Sequence, residues 1–234
     1  MMTEADTPLF KSWDNAGQDI FVPEHYAMQG EGALYAFIAA NPVGQVFTAH
    51  DGNQQVTAAP IIRAQRLDVD RPLLAGHMAV RNPQCDAIIA GASALVSFST
   101  GGAYISPRWF RKNVVAPTWS YVSVQVRGRL KLLPEPDCAL DVLDRTVAHM
   151  EALAPCREGE RPWSMDALTP EQMKRYVPMV MAFHLEVEAI EGICRLNQEK
   201  DRADMESIID GLRGQGAPGA QHIARLMQAN LDTL

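Results

Sequence analysis

The chain is short of the signals that announce a chemistry by themselves. Its four cysteines, Cys85, Cys138, Cys156 and Cys194, are scattered, and no two form a C-x-x-C pair. That argues against a zinc site or a disulfide framework and for four free thiols in a reducing compartment. No run of about eighteen apolar residues occurs, so no membrane-spanning helix is expected. Met1 to Ala16 has acids and a tryptophan but no apolar stretch of signal-peptide type, and a cytoplasmic location is expected. Basic stripes are also missing. With 21 Lys and Arg against 28 Asp and Glu, the formal net charge is -7, whereas a domain that grips DNA concentrates its cations. Direct DNA binding is therefore not expected. Neither G-x-G-x-x-G nor a Walker sequence is present, which argues against dinucleotide and nucleoside-triphosphate loops.

What remains is an ordinary globular composition, 47% apolar and 21% charged over 234 residues, enough for one large domain or two small ones. Leu34, Phe37 and Ile38 recur at helical spacing from Glu31 to Ala40, and Asn41-Pro42 ends that helix. Val43 to His50 and Gln55 to Arg63 read as strands around an Asp51-Gly52-Asn53 turn. Arg71 to His77 and Ser93 to Ser99 read as further strands. Between them, Asn82 is placed to cap a short helix with Pro83 at its first position. From Tyr121 to Lys131, Val122, Val124 and Val126 alternate with Ser123, Gln125 and Arg127. From Met179 to Ile190, Leu185, Val187 and Ala189 alternate with Glu186 and Glu188. A helix over Asp137 to Leu153 carries a stripe of Leu140, Leu143, Val147 and Met150. After Gln198, Met205, Ile208, Ile209 and Leu212 form one helical face, and Ile223, Leu226 and Met227 begin another. Antiparallel strands with one long inserted helix predict an α+β chain, mainly β: a barrel with peripheral helices.

Four stretches then carry a specific resemblance. Val22-Pro23-Glu24-His25-Tyr26 is followed by Gly76-His77-Met78-Ala79-Val80-Arg81-Asn82-Pro83-Gln84, then by Ala103 to Phe110, then by Ala116-Pro117-Thr118-Trp119-Ser120-Tyr121. In this order they resemble the PaiB-like family of FMN-binding negative transcriptional regulators, over about Phe21 to Leu212. The resemblance implies a flavin-type split β-barrel with Greek-key antiparallel strands, dimeric, with FMN at the subunit interface. It divides the chain into an extension over 1–20, a cofactor-binding barrel over 21–198 and a helical tail over 199–234. Ser120 stands where members commonly carry Asn. Arg195-Leu196-Asn197-Gln198-Glu199 replaces the usual Lys-Leu-Ser-Gln-Asn, which keeps the cation and adds a negative charge. Some members resemble haem-dependent piperazate synthases, which close an N–N bond from an N-hydroxylated diamino acid. Haem b is therefore the alternative cofactor and an amino-acid-like molecule a possible substrate.

FMN needs donors for its phosphate, an apolar slot for its ring and polar groups at the ring edge. Ser106, Thr118 and Arg195 are candidates for the phosphate or ribityl chain, and Tyr104, Trp109 and Trp119 for ring walls. Taken singly, each aromatic fits core or dimer packing as well; as a set they favour a pocket. Asn82 and Gln198 complete the candidate cofactor-binding residues. His77 follows Gly76 near a strand end. It is either a hydrogen-bonded structural residue or a catalytic and cofactor-binding one, and in the haem reading it is the iron ligand. Arg127, Arg129 and Lys131 share one strand face, read as solvated, while Arg108, Arg111 and Lys112 form a second small basic cluster. His25, His50, His149, His184 and His222 lie in unrelated contexts and receive no role.

Overall fold

Asp51 and Gly52 both hold positive φ, 46° and 76°, as a two-residue type I′ turn requires. They join β1 (Val43–His50) to β2 (Asn53–Ala64), whose ends pair His50 with Asn53. The computed structural model describes residues 22–64, 72–111 and 115–232; Arg71 and Lys112 lie outside them. β3 (Leu73–Ala79), β4 (Ser93–Ser99), β5 (Ala103–Ile105), β6 (Thr118–Leu132) and β7 (Val180–Arg195) complete one antiparallel sheet. Its order is β4-β1-β2-β3-β7-β6-β5, and an additional β4–β6 pairing closes six strands into a barrel. The run β4-β1-β2-β3 is the Greek-key order. β5 stays outside the ring, paired only with the first residues of β6.

Inside the barrel, Val46, Ile61, Leu74, Val96, Phe98, Val124, Val126, Leu130, Phe183 and Leu185 are wholly buried. Closure removes both sheet edges along this core, and the alternating pattern of each strand supplies its apolar face. α1 (Glu31–Ala40) and α2 (Cys85–Ile89) pack on the barrel. α3 (Pro136–Leu153) covers Ile62, Leu73, Ala75 and Ala182 on its outside. α4 (Pro170–Tyr176) starts with a capping box from Thr169 and Gln172. α5 (Arg202–Arg213) and α6 (Pro218–Leu231) form a separate core with Ala103, Ile105, Val122 and Leu196.

Three local expectations change. In α3 the face turned to the sheet is Ala139, Val142 and Thr146, small residues that let the helix approach closely, while Leu140, Leu143, Val147 and Met150 are only half-buried. In β7 the alternation breaks at a bulge. Arg127 pairs with Ala189 and Gly128 with Val187, leaving Glu188 unpaired, so Ile190 rather than Ala189 packs against the core. Asn82 does not cap a helix starting at Pro83. Its Oδ1 accepts from the Gln84 amide at 3.0 Å, and a turn in which Cys85 N donates to Asn82 O delays α2 to Cys85.

Among the described residues no helix is long and apolar enough to cross a membrane, no group of His, Cys, Asp and Glu is placed to hold a metal ion, and the four cysteines are free.

Candidate functional site

The sequence candidates fall into two groups at opposite ends of β7. The larger gathers where β5, the start of β6 and the end of β7 meet. Tyr104 pairs directly with Trp119, and Ile105 with Thr118, so the two aromatic side chains share one face. Both stand open to solvent, at 45% and 51% exposure. Gly102 makes this possible: a Cβ there would run into the Trp119 indole and the Ser120 carbonyl. Thr118 Oγ1 accepts a 2.7 Å hydrogen bond from Arg195 Nη2. The Arg195 guanidinium carbon lies 5.4 Å from the Tyr26 ring centroid, and its Nε is buried without a partner. Tyr26 contacts both Arg195 and Glu199; burial first, then Glu199, raises its phenol pKa above the ordinary value, with Arg195 opposing.

Ser106 is buried, and its hydroxyl accepts from the Arg108 amide at 3.3 Å and Nε at 3.2 Å. It caps the short turn Pro107–Trp109 and holds Arg108 in place. Trp109 packs flat where Gly211 of α5 leaves room for its ring, so it is a wall of the α5–α6 core, not an open face. Gln198 is fully engaged, donating to Cys194 O at 2.7 Å and His25 O at 3.1 Å and accepting from Leu196 N at 2.9 Å. It fastens the turn after β7. Asn197, at φ 57°, donates to Ser120 Oγ at 2.8 Å. Sequence reading left Tyr26 without a role, although it lies in the first of the four motif stretches. The stretch thus carries an exposed aromatic pair, Tyr104 and Trp119, and two arginines anchored by residues close to that pair in sequence, Arg108 by Ser106 and Arg195 by Thr118.

His77 lies at the other end. It pairs with Ala182, thirteen residues before Arg195 on the same strand, which at about 3.3 Å per residue is roughly 40 Å of strand path. Leu74 and Met78 point into the barrel and Leu73 and Ala75 to the outer layer, so His77 faces outward. Val80, Leu133, Ala139, Val177, Met181 and Ala182 line an apolar cleft of about 340 Å³, whose walls include His77's strand partner Ala182 but not His77 itself. His77 Nδ1 is buried with no hydrogen-bond partner, and burial lowers the ring's pKa below its ordinary value. Asn82 is spent on structure: besides accepting from Gln84, it donates to Thr57 Oγ1 at 2.8 Å. Gln84 in turn ties this turn to β1 through Val46 O and Thr48 Oγ1.

The His77 shift has a pH signature. The unfolded chain takes up a proton near pH ~6.5 that folded His77 resists. Its contribution is intact above that pH and is lost as pH falls through it toward the lower folded value. His222 shifts the same way, by burial and then Arg225. The urea midpoint should therefore fall between about pH 7.5 and 5.5, and fall less in His77→Asn; equal losses in both proteins would count against burial of a neutral His77.

The chain matches the family described as "Putative FMN-binding domain" over residues 20–189. The class set by fold and sequence is thus a flavin-type split barrel, and the chain belongs to that FMN-binding-domain family. Among curated proteins it is similar to protease synthase and sporulation protein PAI 2 of Bacillus subtilis, 27% identical over 213 residues, covering 91% of this chain and 98% of that one. Among solved structures it shares its fold with the FAD and heme binding protein of Mycobacterium smegmatis, at TM-score 0.53, 18% identity and 80% coverage of each chain. It is also similar to a flavocytochrome of Azotobacter vinelandii, at TM-score 0.54 and 15% identity, covering 79% of this chain and 78% of that one.

Proposed function

We propose that two copies of this chain bind FMN between them for a redox or sensory role. The observation that carries the reading is the exposed Tyr104–Trp119 pair together with the adjacent residue of β6, Thr118, holding Arg195. A planar apolar ring and a phosphate need such a surface together. Thr118 and Arg195 would orient the phosphate end, Arg108 would add positive charge, and the aromatics would cover one ring face against water. When bound, the flavin supplies hydride and single-electron chemistry.

Pairing of subunits is supported by two features. His77 and Arg195 stand at opposite ends of β7, so a site that drew on both would take them from two copies. The outer barrel face also carries exposed Phe47 and Val56 in register, with half-buried Leu95 on the other side of Phe47, the kind of apolar patch that marks an interface. Any regulatory role would act through the cofactor, because a net charge of -7 disfavours direct DNA contact. Titration of the full chain with FMN, read by tryptophan quenching alongside light scattering, should give a dimer with one FMN per subunit. A monomer that leaves FMN unbound would refute the reading.

A second reading is favoured by one observation, the orphaned nitrogen of His77, whose strand partner Ala182 lines the apolar cleft. A neutral imidazole there fits an axial haem ligand, and the Mycobacterium smegmatis neighbour binds both FAD and haem. N–N bond formation from an N-hydroxylated diamino acid is the enzyme activity this reading carries. Reconstitution with haem should give a Soret band that shifts in His77→Ala; an unchanged band would remove His77 from that role.

A further inference from the structure

We propose that a cleft on the outside of the barrel, between α1, the end of β2 and α3, binds a small carboxylate with a compact apolar body. It lies apart from both groups of candidate residues and does not depend on the cofactor reading. Tyr35 on α1 is only 6% exposed, yet its hydroxyl is buried with no hydrogen-bond partner. Over its ring, 4.5 Å from the centroid, sits the guanidinium carbon of Arg63. From α3, Arg145 and His149 reach the same cleft, one helical turn apart and hence on one face. Ile38 and Ile62 line it as well, around about 260 Å³.

Arg145 and His149 are partly engaged, which leaves Arg63 and the Tyr35 hydroxyl as the donors without an acceptor among the described residues. Arg145 Nη2 donates to the Arg63 carbonyl at 3.0 Å, while its Nη1 is 3.7 Å from Asp141. His149 Nε2 is 2.8 Å from the Ala39 carbonyl; a carbonyl only accepts, so that nitrogen carries a proton. Glu31 acts on the Tyr35 hydroxyl, but among the described residues no carboxylate pairs with Arg63. Burial, reinforced by Glu31 and opposed by Arg63, raises the Tyr35 pKa, so the group stays an O–H donor. A buried hydroxyl left unbonded is rare and costly, and two guanidinium groups about one cleft repel unless an anion lies between them.

The ligand class follows from shape and chemistry. The arginine fork matches a carboxylate, and the tyrosine adds a third donor. Ile38, Ile62 and the tyrosine ring offer apolar surface that bare phosphate would leave uncovered. The volume is below the ~300–1,000 Å³ of drug-sized sites, which calls for a compact body such as a single ring.

The test is calorimetric titration of the full-length chain with benzoate and, separately, with inorganic phosphate. Benzoate should bind once per chain. Tyr35→Phe should weaken it about tenfold, the effect of one hydrogen bond to a charged group, and Arg63→Gln at least as much. Tyr35→Phe removes only an unpartnered oxygen, so its thermal midpoint should be unchanged or raised, and it decides the matter if Arg63→Gln fails to fold. Absence of saturable benzoate binding, or equal affinity in Tyr35→Phe, would overturn the proposal. Arg63-dependent phosphate binding that benzoate does not displace would overturn the carboxylate assignment.

Discussion

Replacing Arg195 with leucine is expected to weaken FMN binding by about ten- to a hundredfold, the range for losing hydrogen bonds to a charged group. The side chain is preorganised: one terminal nitrogen is fixed by Thr118 at 2.7 Å, and the Tyr26 ring lies alongside the guanidinium. Its unpartnered Nε leaves donor capacity that an anion can use. Arg195→Lys should recover part of the loss, because a lysine keeps the charge and loses the planar fork. Thr118→Val should weaken binding less by itself and should show coupling with Arg195→Leu in a double-mutant cycle. Calorimetry or tryptophan quenching measures both, and an unchanged dissociation constant in Arg195→Leu would take the phosphate away from this end of the barrel.

The largest loss of stability is expected from Gly128→Ala. A Cβ at this position would collide with the Glu186 carbonyl oxygen, lie 2.9 Å from its carbon and meet Leu185 Cδ1 at 3.3 Å. The first two are backbone atoms of the neighbouring strand, so no side-chain rotation relieves the clash. The glycine also stands at the β6–β7 register shift, where the two longest strands change alignment. The cost should be about 3 kcal/mol, at the upper end of ordinary overpacking, read as a lower urea midpoint. Gly32→Ala is the contrasting case. Gly32 lies in α1 with nothing within 4 Å of an added Cβ, and the substitution should stabilise by up to about 1 kcal/mol. Equal effects at the two glycines would contradict the packing described for β6 and β7.

The elements whose pattern is local were legible in the sequence. Ser93–Ser99 and the Asp51-Gly52 turn appear where alternation and turn chemistry place them, and α1 follows its helical spacing. The failures arise where a distant partner decides. The buried face of α3 is set by how closely the helix can approach the sheet, so small residues win over the larger leucine stripe. The switch from Ala189 to Ile190 comes from a bulge, which depends on pairing with β6 and leaves no mark on β7 alone. At the site, Tyr104, Trp119, Thr118 and Arg195 do come together. Trp109 and Gln198 turn out to be committed to packing and to a turn, and Asn82 to a turn as well. The separation of His77 from Arg195 follows from β3 pairing with the start of β7, a register between distant segments that neither segment carries alone. Tyr35, Arg63, Arg145 and His149 come from three separated elements, so no motif spacing could group them.

β5 contributes no rung to the closed hydrogen-bonded ring, which passes directly from β4 to β6. Its small strand is instead wedged in place by α5 and α6, with Gly219 pressed against the Gly102 carbonyl. The match to the FMN-binding-domain family model ends at residue 189, before both helices begin. Changes in those last two helices would thus shift the exposed Tyr104–Trp119 surface while the barrel's own bonding circuit is left alone.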